Sequence, residues 1–201
     1  VSNPEIPEAI TYCQTENARD VSVTDQYAYI ADLNQGLKVI DITNLELPEI
    51  KASRGCLGLM RDFNVMGQMG LGATLTRGLV TFDISMPFDP TLQGYYDQAG
   101  GAYNVAWSEN YLGKLAYLCN MGNGLNIISI DNPSSPVFLG NWDPSPNSAS
   151  GVGVAVETYG MVYLATGGSV QALDITNPYN ISLKSELFLP GFVESVEVVP
   201  D

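Results

Sequence analysis

The chain contains no histidine, an absence that removes histidine general bases, His-containing catalytic triads and imidazole metal sites together. Carboxylates, lysine, tyrosine, serine and three cysteines are left to do chemistry. Two Arg-Asp pairs recur at equal spacing, Arg19 with Asp20 and Arg61 with Asp62. They read either as ion pairs between neighbouring structural units or as contacts to a ligand or partner. Asp41, Asp83 and Asp174 recur as well, and Asp131 stands two places beyond Ser129, which takes the corresponding position. A repeated carboxylate is a candidate metal ligand. Aspartate ahead of a turn, however, commonly accepts backbone N–H bonds from that turn, and one bound ligand rarely needs the same residue in every unit. The structural reading is therefore preferred. Carboxylate pairs also carry out glycoside cleavage, but no spacing in the chain marks such a pair.

Metal and thiol chemistry are weakly supported. Calcium is the ion that loops such as "DLNQG" and "NMGNG" would suit, although neither has EF-hand spacing or the glycine-rich calcium nonapeptide. No cofactor is expected. Met60, Met66 and Met69 are spread over strand-like segments and read as core filler. Cys13 and Cys56 follow outer-strand segments of neighbouring units; a bridge between them would suit an oxidising compartment, provided the two points approach closely enough. Cys119 aligns with Ala31, Ala73 and Ala165, a position for small packed side chains. No CxxC is present.

The elements that position these residues follow from an internal repeat. "VTDQYAYIADLNQGLKVIDITN", from Val23, returns 42 positions later as "VMGQMGLGATLTRGLVTFDISM", from Val65. Segments ending in Asp41, Asp83, Ser129 and Asp174 step by 42, 46 and 45 residues. A period in the low forties is the length of a four-stranded propeller blade. Within a unit, Val21 and Val23 alternate with Asp20 and Ser22, as in a strand with one buried face; this is the inner strand, A. "QYAYIAD" and "GLKVIDI" form strands B and C around a turn at Leu33 to Gly36. Thr43, Asn44 and Pro48 turn the chain into an outer strand D at 49 to 55. Strand B of the second unit is the weakest expectation, because Gly70, Leu71 and Gly72 replace bulkier residues. No long stretch has a helical apolar period.

The units "GLKVIDITN", "GLVTFDIS", "GLNIISIDNP" and "VQALDITNP", each after an "AYIAD"-like strand, resemble the LVIVD repeat family over essentially the whole chain. The resemblance implies a β-propeller of bacterial or archaeal surface and secreted proteins, mostly of undefined activity, and hence an extracellular or cell-surface location.

The expected fold is all-β, a propeller of four-stranded antiparallel blades. Complete blades fall at 16–56, 57–98, 99–145 and 146–190. Residues 1–15 read as an outer strand and 191–201 as an inner strand of partial blades, so the chain reads as a piece of a longer one. With 8 basic and 22 acidic residues the formal charge is −14. Such a surface repels phosphate backbones and anionic membranes, and no apolar run is long enough to span a bilayer.

Function is expected where copies differ. In a propeller, the loops entering strand A and those joining B to C emerge at one end of the blades, where several blades can reach one ligand. The candidates there are Arg19, Asp20, Arg61, Asp62, Tyr103, Asn104, Ser150 or Gly151, and Glu194 with Ser195, with Asp32, Thr74, Arg77, Asn120 and Asn123 on the B to C loops. Trp142, in the long stretch 141–150, is either an anchor for a partner or packing between blades. The preferred reading is a non-catalytic scaffold binding a protein or glycan partner. The alternatives are an architectural subunit of a larger surface assembly and a carboxylate- or metal-dependent hydrolase or lyase.

Overall fold

The computed structural model describes residues 8–97, 101–120, 122–143, 153–157 and 160–198, and its regular elements there are all β-strands. The first blade consists of β1 (Asp20–Val23), β2 (Tyr27–Asp32), β3 (Gly36–Asp41) and β4 (Glu49–Arg54). The second has β5 (Met60–Met66), β6 (Met69–Thr74), β7 (Gly78–Asp83) and β8 (Thr91–Tyr96). The third has β9 (Ala102–Asn110), β10 (Gly113–Asn120), β11 (Gly124–Ser129) and β12 (Val137–Trp142). The fourth has β13 (Gly153–Glu157), β14 (Met161–Ala165), β15 (Gly167–Asp174) and β16 (Ser182–Val193). Each blade is an antiparallel sheet in chain order, A to D. Residues 8–15 and 194–198 belong to no strand.

Strands B and C read as apolar runs because a middle blade buries both faces. Three apolar layers lie between the four sheets. The first holds Tyr29, Leu37, Phe63 and Phe82. The second holds Leu71, Leu79, Val105 and Leu118. The third holds Tyr117, Ile127, Leu164 and Leu173. Each such side chain contributes about 1.5–3 kcal/mol on burial. In β1, by contrast, Val21 and Val23 are 54% and 63% exposed, because the face they share is covered by no other sheet among the described residues.

β6 forms in full, despite its glycines. A Cβ at Gly70 would lie 2.2 Å from the Phe63 ring, and one at Gly72 would lie 2.8 Å from Val80 and 2.9 Å from Met60. The missing side chains make room for large neighbours. The recurrent glycine that opens strand C has another cause: Gly36, Gly78 and Gly124 have φ of 79°, 70° and 65°, values that favour glycine.

One irregularity recurs in every blade. The pairing of strands C and D slips at Val39/Ile40, Thr81/Phe82, Ile127/Ile128 and Ala172/Leu173, leaving Lys51, Gln93, Leu139 and Lys184 as the extra residues of strand D. A bulge of this kind re-aims the side chain it carries.

Candidate functional site

The candidates at the ends of the inner strands turn out to join the blades. Asp20 Oδ2 accepts the N–H of Phe63 at 3.1 Å, Asp62 Oδ2 accepts that of Val105 at 2.7 Å, and Asn104 Oδ1 accepts that of Val154 at 3.0 Å. Each is the same bond one blade further on. In each case the side chain at the start of strand A caps a backbone N–H of the next blade's strand A. Below this row, the Ser22 hydroxyl donates to Phe63 O at 2.8 Å and Asn64 Nδ2 donates to Val105 O at 3.2 Å. Such bonds are worth about 1 kcal/mol each, and more is lost when a buried partner is stranded.

Asp62 is the most perturbed group of this row. Burial in the seam between blades, followed by the charge of Asp20, pushes its pKa up to about 8, so it holds its proton at neutral pH. Arg61 does not pair with it. Its guanidinium lies 4.5 Å from the centre of the Tyr103 ring, a cation–π contact. Arg19 is exposed, and only its backbone N–H is engaged, with Ala31 O at 2.8 Å. Neither arginine closes an ion pair among the described residues.

Trp142 ends β12 and is half-buried against the apolar layer between the third and fourth blades, where its Nε1 donates to Gln171 Oε1 at 2.9 Å. Glu194 is exposed just past β16. Ser150, Gly151 and the loop at 144–150 lie outside the described residues.

Most of the B to C turn residues are committed as well. Asp32 is fully buried; it bonds to Lys38 Nζ at 2.5 Å and accepts the N–H groups of Glu16 and Asn17 at 3.1 and 2.5 Å. Burial raises its pKa, and the Lys38 bond and the two N–H groups overcome that and hold it below the usual carboxylate value. Thr74 closes its own turn by donating to Gly78 O and accepting from Arg77 N–H. Arg77 pairs with Asp97 at 2.8 Å. The Asn123 N–H meets Asn120 O at 3.3 Å, and the Asn120 side chain is buried.

The strand C aspartates cap the turns that follow them. Asp41 Oδ1 accepts the Thr43 hydroxyl at 2.6 Å and N–H at 3.0 Å; Asp174 does the same with Thr176, at 2.6 and 2.9 Å, and Asp83 accepts the Ser85 N–H at 2.9 Å. These bonds, the side-chain one first, lower all three pKa values, with Lys184 adding to the effect on Asp174. Asp131 instead accepts the N–H of Lys114 and the hydroxyl of Ser129. Among the described residues, no group of three or more acidic or thiol side chains is placed to hold a metal ion. Cys119 is buried, and burial raises its thiol pKa well above the ordinary value. Cys13 packs beside Ala28 and Ile30, whereas the Cys56 thiol donates to Gly58 O at 2.9 Å, and both are unbridged.

Sequence reasoning missed a cleft at the opposite end of the blades, where A turns into B and C into D. It lies between the second and third blades, has a volume of about 470 Å³, and is lined by Trp107, Gln68, Gln93, Asp83, Glu109 and Lys114, with Met66, Met69 and Ile130 among its apolar contacts. Trp107 occupies the position held by Val23, Val65 and Val156 in the other blades, and that substitution was the available signal. Its indole N–H donates to Val65 O across the seam at 3.1 Å.

These sheets and seams define an all-β, β-propeller-like protein whose polar residues at the inner-strand ends are mainly structural. Residues 16–53 and 99–143 match the LVIVD repeat. It has no match among curated proteins. Among solved structures it is similar to the computationally designed protein Ika8, with a TM-score of 0.72 and 10% identity over 91% of this chain and 53% of that one. A functionally unknown protein from Desulfotomaculum acetoxidans DSM 771 is similar at TM-score 0.71 and 20% identity, over 89% of this chain and 58% of that one. The designed protein Ika4 is similar at TM-score 0.65 and 9% identity, over 83% of this chain and 96% of that one. The chain thus spans just over half the length of the first two. At these identities the likeness is one of fold.

Proposed function

We propose that the chain is a non-catalytic, β-propeller-like scaffold of the extracellular or cell-surface kind, which engages a protein or glycan partner through loops at one end of its blades. The observation that carries this reading is where the polar groups are used. Asp20, Asp62 and Asn104, the side chains best placed for chemistry around the inner strands, are spent on N–H groups of the next blade. The opposite end keeps a cleft with polar side chains free to meet a partner. The test is to present the protein with panels of purified glycans and surface proteins, following both retention and product formation. Retention of a partner without product is the expected result; turnover of any of them would replace the scaffold with an enzyme.

An architectural role in a larger assembly has one observation in its favour. The twelve-residue outer strand β16 exposes Leu187, Phe188 and Phe192, at 61%, 75% and 66%, more apolar surface than a lone outer strand needs. Sedimentation velocity of the chain and of a Phe188→Ser, Phe192→Ser variant decides it. Self-association lost in the variant supports the assembly, and a monomer in both removes it.

A further inference from the structure

We infer that the cleft between the second and third blades is a saccharide-binding site, a conclusion that rests on the scaffold reading above. It forms where this chain departs from its own repeat. In the first and fourth blades the extra residue of strand D is a lysine near the strand C aspartate: Lys184 Nζ lies 2.9 Å from Asp174 Oδ2, and Lys51 Nζ, bonded to Glu49 Oε2 at 2.6 Å, lies 3.8 Å from Asp41 Oδ2. In the second blade that residue is Gln93, so Asp83 has no cation beside it among the described residues and faces the cleft. In the third blade valine gives way to Trp107, and strand β9 runs on to Asn110, carrying Glu109 to the cleft wall. Gln68, in the A to B turn of the second blade, and Lys114, near the start of β10, occupy corresponding positions, their carbonyls accepting from Ile84 and Ile130, and both line the same space.

The chemistry of the lining selects the ligand class. Gln68, Gln93, Glu109 and Lys114 make no side-chain hydrogen bond or ion pair with the other described residues, so the cleft offers both donors and acceptors to a ligand. An anionic ligand would meet Asp83, Glu109 and Asp131 on a chain of formal charge −14. A cationic one would meet Lys114. A neutral polyhydroxylated ligand can use both signs, donating hydroxyl protons to the carboxylates and accepting from Lys114 and the carboxamides. Trp107, pinned through its N–H, supplies a rigid amphipathic surface for the apolar C–H side of a sugar ring, and the thioethers of Met66 and Met69 extend it. The volume lies within the range of small-ligand sites.

The repeat supplies the variants for the test. Gln93→Lys restores the lysine of the first and fourth blades and places its ammonium beside Asp83. Trp107→Val restores the valine of the other three. Cello-, chito-, xylo- and manno-oligosaccharides are titrated calorimetrically into the wild-type chain and both variants. Melting curves establish folding, the indole N–H resonances of the two tryptophans are followed by NMR, and oligolysine serves as the cationic comparison. The expected result is binding of at least one oligosaccharide class, a shift of the Trp107 indole signal, and affinity about tenfold or more weaker in either variant. Gln93→Lys decides the matter if Trp107→Val fails to fold. Saccharide binding unchanged in a folded variant overturns the site but leaves the scaffold reading standing. Binding of oligolysine alone, or of no probe, overturns the ligand class. New reducing ends would instead refute the non-catalytic reading.

Discussion

The proton held between the first and second blades makes the stability of this chain depend on pH in a window where few of its other groups titrate. Asp62 has a pKa of about 8 in the folded chain, against an ordinary aspartate value of about 4 when unfolded. Between those limits the folded chain keeps a proton that the unfolded chain releases. The stabilisation from this proton is therefore complete at low pH, declines as pH rises, and is gone above about 8. With one proton at stake, the limiting slope is about 1.4 kcal/mol lost per pH unit. The absence of histidine leaves pH 5.5–7.5 clear of the usual titration. Asp32, Asp41, Asp83 and Asp174 shift in the opposite direction, so their contribution is fully present above about pH 4 and is lost only below it.

Asp62→Asn isolates the effect. Asparagine keeps an oxygen for the Val105 N–H, as Asn104 does for Val154. Urea denaturation at half-unit steps from pH 5.5 to 8.5 should show wild-type stability falling at a slope approaching the limit and levelling above pH 8. The variant should be flat across the range and more stable than wild type at pH 8.5. A 13C titration of the Asp62 carboxyl should place its midpoint in the same region. A flat wild-type profile, or a slope that survives in Asp62→Asn, refutes the proton held on Asp62.

Three further expectations follow from the seams and turns. Asn104→Ala strands the Val154 N–H and should cost about 1–3 kcal/mol in urea denaturation, whereas Asn104→Asp, which keeps an acceptor, should cost less. Gly140→Val places a Cβ 2.1 Å from Pro178 O on the next blade's turn; the melting temperature should fall, with a loss of about 1–3 kcal/mol, and equal stability would mean that the outer strands yield freely. Lys38→Met leaves the fully buried Asp32 without its cation and should cost about 3–5 kcal/mol by denaturation; adding Asp32→Asn should recover part of that loss, and no recovery would show that the Glu16 and Asn17 N–H groups alone set the requirement for charge.

Much of the fold was legible because its signals are local. The glycine that opens strand C needs a positive φ, the aspartate that ends it caps its own turn two residues on, and strands B and C announce their double burial as apolar runs. The candidate site was far less legible, because its partners are distant in sequence. Asp20 meets a backbone N–H 43 residues away, and nothing in the type of residue 63 reveals that acceptor–donor match. The aspartate at position 20 reads the same whether it binds a ligand or a neighbouring blade. The lysines that flank Asp41 and Asp174 were equally hidden, since a bulge in strand D brings them there and a bulge leaves no reliable mark in the alternation. Trp107 was visible, but only as one more apolar residue of an inner strand.

A repeated fold carries its own controls, and this bears on where function can be sought in it. The N–H caps of the inner strands occur at three successive blades with two residue types, Asp and Asn, which is how a structural requirement behaves when only an acceptor is needed. The bulge position behaves differently. It holds lysine twice, paired with Asp174 in the fourth blade and set between Glu49 and Asp41 in the first, and leucine in the third; in the second blade it holds glutamine, and the neighbouring blade places a tryptophan on the same cleft. Two departures in adjacent blades that converge on one space are not what relaxed packing produces, because loosened positions have no reason to meet. The same comparison explains why the rim of the inner strands is the poorer place to look: its variation between copies conserves the one bond that matters there.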